Sequence, residues 1–438
     1  MTYLCSLSSF RAALALFAFS ALLALPLQAA PGERPVTLIV RLPKDSTLMI
    51  DGHKSSQRGT ERAFLSPPLK PGKVYYYTLR ATWKDADAQN QESRKVRVQA
   101  GERLVVDFTI PEPKRTSGSL PSTTWKLRHS LKVTDVPKGS KKARIWFWLP
   151  NDDEAQKVLS LNVLQSPKGT KVVRSGGNRY LYAEVTNPSE PIDLSTEFLV
   201  RRRVISTNLK AAQAKKFSST FQALFREELR KDVMNMEVTP EIQTLADRIC
   251  GDEKNVAKQA QLLFNYVVGH TYHYKHPKAK ELKIKPSVVQ GLWHLQGGSA
   301  SRALECQGGS CTDQHSLFIA LARARGIPTR LEFGSLLSPT KENQDHNPGY
   351  RCWVSYFVPN YGWVPMDASA ANLKPKLATF YAHGLDANRI RFFGGRDVDL
   401  STGERTGPHV NLMIIAYVEI DGKPHVRFER TLRFHKVK

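Results

Sequence analysis

The sequence predicts an α+β chain. Two observations carry that prediction: β-type alternation fills residues 34 to 205, and apolar residues at helical spacing then take over before antiparallel strands return. The 438 residues are enough for several domains. In order, the expected organisation is a leader over 1–29, a small all-β module over 34–111, a linker over 112–122, an immunoglobulin-like β-sandwich over 123–205, and an α+β domain over 206–438 that ends in a β extension.

Residues 1–29 read as an export signal. Met1–Arg11 has one positive charge, Ala12–Leu27 is apolar apart from Ser20, and Leu27-Gln28-Ala29-Ala30 offers a cleavage site after Ala29. About 16 apolar residues are short for a membrane span. The chain is therefore expected to be exported, to the periplasm or outside the cell. Its formal charge is +24, and removing residues 1–29, with one arginine and no acid, leaves about +23. Such a balance suits anionic envelope polymers, with plain solubility as the equal alternative. Export and the lack of an aromatic-interleaved basic motif argue against nucleic acid. The densest basic run is Arg201-Arg202-Arg203, followed by Lys210, Lys215 and Lys216, and is expected on a solvated edge.

In the first module, Val36, Leu38, Val40 and Leu42 alternate with polar or opposite-facing residues, and Asp51-Gly52 is a hairpin turn. Tyr75, Tyr77, Leu79, Ala81 and Trp83 mark a long strand, and Val96, Val98, Leu104, Val106 and Phe108 suggest a last hairpin. Pro111–Ser122 is a linker by composition. In the second β region, Ile145-Trp146-Phe147-Trp148 carries aromatics on both faces, expected as core. Thr239-Pro240 starts a helix with apolar face Ile242, Leu245, Ala246 and Ile249; Val256, Ala260, Leu263, Phe264 and Val267 mark a second. Gly308-Gly309-Ser310-Cys311 opens a third, with Ser310 and Asp313 as a capping box and Gly326 and Pro328 at its end. Strands follow at 329–333, 350–358 and 363–366, and the tail around Asp421-Gly422 reads as one more hairpin.

Four cysteines remain after the leader: Cys250, Cys306, Cys311 and Cys352. They are too few for a disulfide framework, and no metal-ligand spacing or cofactor motif is present. A Cys306–Cys352 bridge stays open. Cys311 stands where a helix begins, and a helix N-terminus favours both a thiolate and an oxyanion.

The stretches "GGSCTDQHSLFIALARARGIPTR" and "YRCWVSYFVPNYGWVPMDAS" closely resemble the transglutaminase-like superfamily. That resemblance, over about 240–372, implies a papain-like core with a Cys–His–Asp triad acting on peptide or protein amides. By it, Cys311 is the nucleophile, Asp367 the third member, and position 351 the second. The first β module likewise resembles PEGA-type modules of exported bacterial proteins. The departure is Arg351: a guanidinium cannot accept the thiol proton. Two readings follow. In one, the triad is impaired, Arg351 pairs with Asp367, and the protein serves envelope binding or scaffolding. In the other, it is an active cysteine amidase, peptidase or amine transferase with a non-standard base. His315, one turn after Cys311, and His346, in a loop before Arg351, are the candidate substitutes. His270, His273 and His276 are expected in a surface turn, and Cys352 is expected buried on the strand face opposite Arg351.

Overall fold

The computed structural model describes residues 33–437 apart from 72, 86–87, 110–119, 176–177, 189–190, 210–224, 288–296, 348, 359–360, 403–406 and 413–415. The expected leader over 1–29, the core of the linker over 112–122, and Lys210, Lys215 and Lys216 lie outside the described residues. The chain divides into two compact units, Met1–Glu112 and Pro113–Lys438.

The first unit is a pair of sheets around one core. Alternation puts Val36, Leu38, Val40 and Leu42 inside with Leu48, Ile50, Tyr77, Leu79, Ala81, Val98 and Phe108. Asp51 and Gly52 both have positive φ (47° and 84°), and Ile50 pairs with His53 across them, as the Asp-Gly signal requires. The expected last hairpin does not form. Ala88–Val98 pairs with Tyr75–Asp85, whereas Arg103–Asp107 runs parallel to Thr37–Arg41 in the other sheet. A two-sheet core is closed by strands that change sheets, and alternation alone does not distinguish that crossing from a hairpin.

In the second unit, Ser122–Val133, Gln156–Gln165 and Ile192–Arg203 form one sheet, and Lys142–Trp148, Lys171–Ser175 and Asn178–Thr186 belong to the other. The C-terminal tail completes both: Phe428–Val437 pairs with Ser122–Val133, and Ala416–Ile420 pairs with Lys142–Trp148. The tail is therefore part of the sandwich and not an extension of the helical domain. The turn at Asp421-Gly422 is present, with φ of 49° and 77°, but the strand after Lys423–Pro424 crosses to the opposite sheet. Ala416, Val418 and Ile420 bury their side chains beside Leu131, Ile145, Phe147 and Leu181, which an isolated hairpin could not do.

The helical part surrounds Cys311–Ala324, a helix buried along nearly its whole length. A helix buried on every side belongs at the centre of a domain. Pro240–Cys250 and Val256–His270 pack on it; the second buries the face expected from sequence, and the first buries Ile242, Leu245 and Ala246 with Cys250, leaving Ile249 half-buried, and is capped by Thr239 through a 3.3 Å bond from Ile242 N. On another side lies an antiparallel sheet in the order Gly362–Met366, Arg351–Val358, Thr329–Leu336, Arg389–Gly394. The last strand joins this sheet to the sandwich. Phe392 sits 5.6 Å from Trp148 and 5.3 Å from His129, centroid to centroid.

Candidate active site

The site forms where the Cys311 helix starts against the sheet. Gly308 and Gly309 approach Tyr272–His273 as a short parallel strand pair. A Cβ on Gly308 would come within 2.0 Å of the Tyr272 carbonyl oxygen, so only glycine fits. Asp313 completes the N-terminal cap by accepting from Ser310 N at 2.7 Å, and also holds Ser299 N and the Ser287 hydroxyl. The sequence signal S-x-x-D thus fixes the loop that presents Cys311.

Four side chains with less than 5 % exposure converge there: Cys311, His315, Cys352 and Asp367. His315 is one turn beyond Cys311, and its ring joins strand to strand. Nδ1 lies 3.1 Å from Cys352 Sγ, and Nε2 lies 3.4 Å from Asp367 Oδ1, an ion-pair contact looser than a well-aligned hydrogen bond. Cys352 Sγ also points to Thr312 Oγ1 at 3.7 Å, on the first turn of the helix that begins at Cys311. Asp367 caps the short helix Ala368–Leu373 through Ala370 N at 2.8 Å. Its second oxygen meets Arg389 Nη1 at 3.0 Å, and Arg389 also binds Asp386 at 2.7 Å.

The structure corrects the pairing expected of Arg351. It does not pair with Asp367; among the described residues no carboxylate reaches its guanidinium, whose hydrogen bond goes to the Tyr350 carbonyl at 3.4 Å. Arg389, which opens the edge strand Arg389–Gly394, takes the carboxylate and is buried with it. In turn it is Cys352 that contacts the first turn of the helix, together with Tyr350, whose hydroxyl meets Thr312 Oγ1 at 3.0 Å. His346 is pinned away from the site: its backbone bridges Leu432 and its ring meets Phe434 edge-on. Cys306 and Cys352 are both free thiols, Cys352 being committed to the Cys311 and His315 contacts.

His273 departs from the surface turn expected of it. It is fully buried, accepts from Lys275 N through Nδ1 at 3.1 Å, and leaves Nε2 without a partner among the described residues. Its neighbours His270 and His276 stack on Tyr266 and Tyr272. Its burial comes from pairing with Gly309, two before the cysteine, which no local sequence signal marks. Arg389 was also missed as a partner of Asp367, because nothing in its spacing says that a strand 22 residues on returns to that carboxylate.

The electrostatics divide the two thiols. The bond from Cys352 brings Cys311 down to about 6 against the cost of its burial, aided by the charges of Arg351 and His315. Burial and the adjacent Cys311 push Cys352 well up, so it stays the protonated donor. Burial alone would raise Asp367; the His315 bond, Arg389 and Ala370 N outweigh it and hold the carboxyl well below its usual range. Burial first, then Arg351 and Lys275, depress His273 to about 3, which keeps it neutral. Among the described residues no cluster of three or more His, Cys, Asp or Glu could hold a metal ion. Chemically, the arrangement offers a thiolate, a second thiol, an imidazole and an ion-paired carboxylate in one run at a helix N-terminus.

Residues 243–368 match the sequence profile of the Transglutaminase-like superfamily. A protein of unassigned function from Haemophilus influenzae is 24% identical over 333 residues, covering 67% of this chain and 85% of that protein. Among solved structures, a provisionally assigned cysteine protease from Cytophaga hutchinsonii is 16% identical, covers 73% of this chain and 92% of its own, and has a TM-score of 0.47. A provisionally assigned protease from Parabacteroides distasonis is 8% identical, covers 90% and 71%, and has a TM-score of 0.20.

Proposed function

We propose, from the premise that residues 243–368 are a domain of the transglutaminase-like superfamily, that this chain is a cysteine-dependent enzyme acting on amide or ester carbonyls of peptides or proteins. Cys311 is the nucleophile and His315 the base. One observation carries the reading: His315 lies between Cys352 and Asp367, with Nδ1 3.1 Å from the Cys352 sulfur and Nε2 3.4 Å from the carboxylate, close to it without a formed hydrogen bond. Arg351 then need not be a base. It is the cation that favours the Cys311 thiolate.

The steps follow from the contacts. The Cys311 thiolate attacks the carbonyl, and the helix N-terminus favours the oxyanion that forms. His315, one turn beyond Cys311 and 3.1 Å from Cys352 Sγ through Nδ1, is the imidazole placed to exchange a proton with the thiol site. Asp367 orients the imidazole and stabilises its charged form, and Arg389 holds Asp367 in place. The tetrahedral intermediate collapses as its C–N or C–O bond breaks, and the amine or alcohol leaves with a proton from the imidazolium. Water or an amine, giving its proton back to the imidazole, then attacks the thioester and breaks the C–S bond, so the acyl group is hydrolysed or transferred.

Peptide amide, thioester and amine-exchange substrates test this with three variants. Cys311→Ala should abolish turnover, His315→Gln should lower kcat about 10²–10⁴-fold, and Arg351→Met should keep measurable turnover. Equal rates for the parent and Cys311→Ala would sink the enzyme reading. The second reading, an impaired envelope-binding protein, is favoured by Arg351 itself, which stands at the position where the family has histidine. It expects no turnover in any variant except Arg351→His, and binding to anionic glycan that weakens steeply with salt. For either reading we propose export directed by residues 1–29; N-terminal sequencing of the mature protein should begin at Ala30.

A further inference from the structure

We infer that Cys311 and Cys352 form a reversible oxidation site, converted by a hydroperoxide into an intramolecular disulfide. The inference stands on the geometry of the pair and does not require turnover. Two thiols share one buried site, although the acyl chemistry needs only one nucleophile. Cys352 Sγ rests on the first turn of the Cys311 helix, between Thr312 Oγ1 at 3.7 Å and His315 Nδ1 at 3.1 Å, the residues next to Cys311 and one turn beyond it. The other two mature cysteines are set apart from it. Cys250 ends the helix Pro240–Cys250, and Cys306 caps the C-terminus of Ala300–Glu305. All four are free thiols in the structure.

The pair has the division of labour that oxidation requires. Thiolate character promotes oxidation, and a helix N-terminus beside a cation supplies it to Cys311. Cys311 gives two electrons to the peroxide: an S–O bond forms, the O–O bond breaks, and the alkoxide or hydroxide leaves with a proton. The sulfenic acid left on Cys311 is then met by the Cys352 thiol already at its side. Cys352 sulfur attacks the Cys311 sulfur, an S–S bond forms and the S–O bond breaks. Its proton passes to His315 Nδ1 and from there to the departing hydroxide, giving water. In sum, two thiols and one hydroperoxide give one disulfide, one alcohol or water, and one water. A thiol reductant reverses the change by exchange. Closure consumes the nucleophile, so acyl-transfer chemistry stops while the sulfur itself is protected from irreversible oxidation.

The experiment maps thiols on the full chain by mass spectrometry under non-reducing conditions, before and after stoichiometric hydrogen peroxide. The expected product is a peptide pair joined through Cys311 and Cys352, with Cys250 and Cys306 still alkylatable and both lost thiols recovered by dithiothreitol. Cys352→Ser and Cys352→Ala, checked for native circular dichroism, should instead accumulate a Cys311 sulfenic acid that dimedone traps. Dimedone capture of Cys311 in the parent chain at the same level as in these variants, or a disulfide through Cys306 or Cys250, would overturn the inference. Because the readout is a mass and not a rate, a disulfide without turnover removes the proposed enzyme activity and keeps the oxidation site. Turnover without a disulfide does the reverse.

Discussion

At the residue scale, Cys311 and Cys250 show what the surroundings do to the same thiol. Both are buried. Cys250 is pushed up to about 11 by burial, with Arg325 only partly offsetting it. Cys311 is brought down to about 6 by the Cys352 bond, with Arg351 and His315 assisting. Iodoacetamide labelling resolved by peptide should therefore rise for Cys311 near pH 6, several units below Cys250. Arg351→Met removes one assisting cation and should move that midpoint up by up to about one unit; an unchanged midpoint would show that Arg351 does not act on the thiolate. Asp367→Asn tests the carboxylate. It leaves Arg389 with Asp386 alone and His315 without its ion pair. Kinetic loss should be about 10²–10⁴-fold, with destabilisation on the order of 3–5 kcal/mol because a buried cation loses a partner. A loss of stability with kcat preserved would make Asp367 purely structural.

At the scale of elements, the cap that presents Cys311 is the sensitive joint. Gly309 has φ of 152°, and a Cβ there would lie 2.5 Å from Asp313 Oδ2. Gly309→Ala should therefore displace Asp313 from Ser310 N, cost roughly 1–3 kcal/mol, and slow Cys311 alkylation at fixed pH. Urea unfolding and labelling rates check both; a variant with parental stability and labelling would show that the loop absorbs the methyl group. This joint was legible in the sequence, because a capping box and a double glycine are local signals. Asp51-Gly52 was legible for the same reason, and so were the apolar faces of the two helices after Thr239. What local pattern could not show is which distant element receives each side chain. The i+4 spacing placed His315 on the face of Cys311, but only the sheet supplies Asp367 and Cys352 to its two nitrogens. Alternation marked Arg103–Asp107 and Phe428–Val437 as strands, yet both cross to the opposite sheet from the hairpin expected of them. Burial of His273 followed from its pairing with Gly309, a contact 36 residues away in sequence.

At the scale of the whole second unit, buried histidines couple its fold to pH. His273 lies beside the thiol site, and His129 lies between Phe147 and Phe392 where the sandwich meets the helical domain's sheet. Neither His129 nitrogen has a partner among the described residues. Burial, reinforced by the Arg430 charge, holds His129 well below its ordinary value; burial with Arg351 and Lys275 brings His273 to about 3. An unfolded histidine protonates near pH 6.5, while these two stay neutral in the fold. The unfolded chain then binds more protons, so the stability they contribute is complete above about pH 6.5 and falls as pH drops toward the folded values, by about 1.4 kcal/mol for each unit of depression per site. Asp367 acts in the same direction at lower pH, since its folded value is also depressed. Urea midpoints should be level above about pH 6.5 and fall between there and pH 4.5. His129→Leu removes one of the two titrations and replaces unpaired buried nitrogens with hydrocarbon, so it should raise the pH 5 midpoint and flatten the profile. Because His129 touches neither Cys311 nor Cys352, the labelling midpoint of Cys311 should stay near pH 6 in the same variant. A profile as steep as the parent's would place the acid sensitivity elsewhere, and a shifted labelling midpoint would mean that the sandwich contact at Phe392 reaches the thiol site.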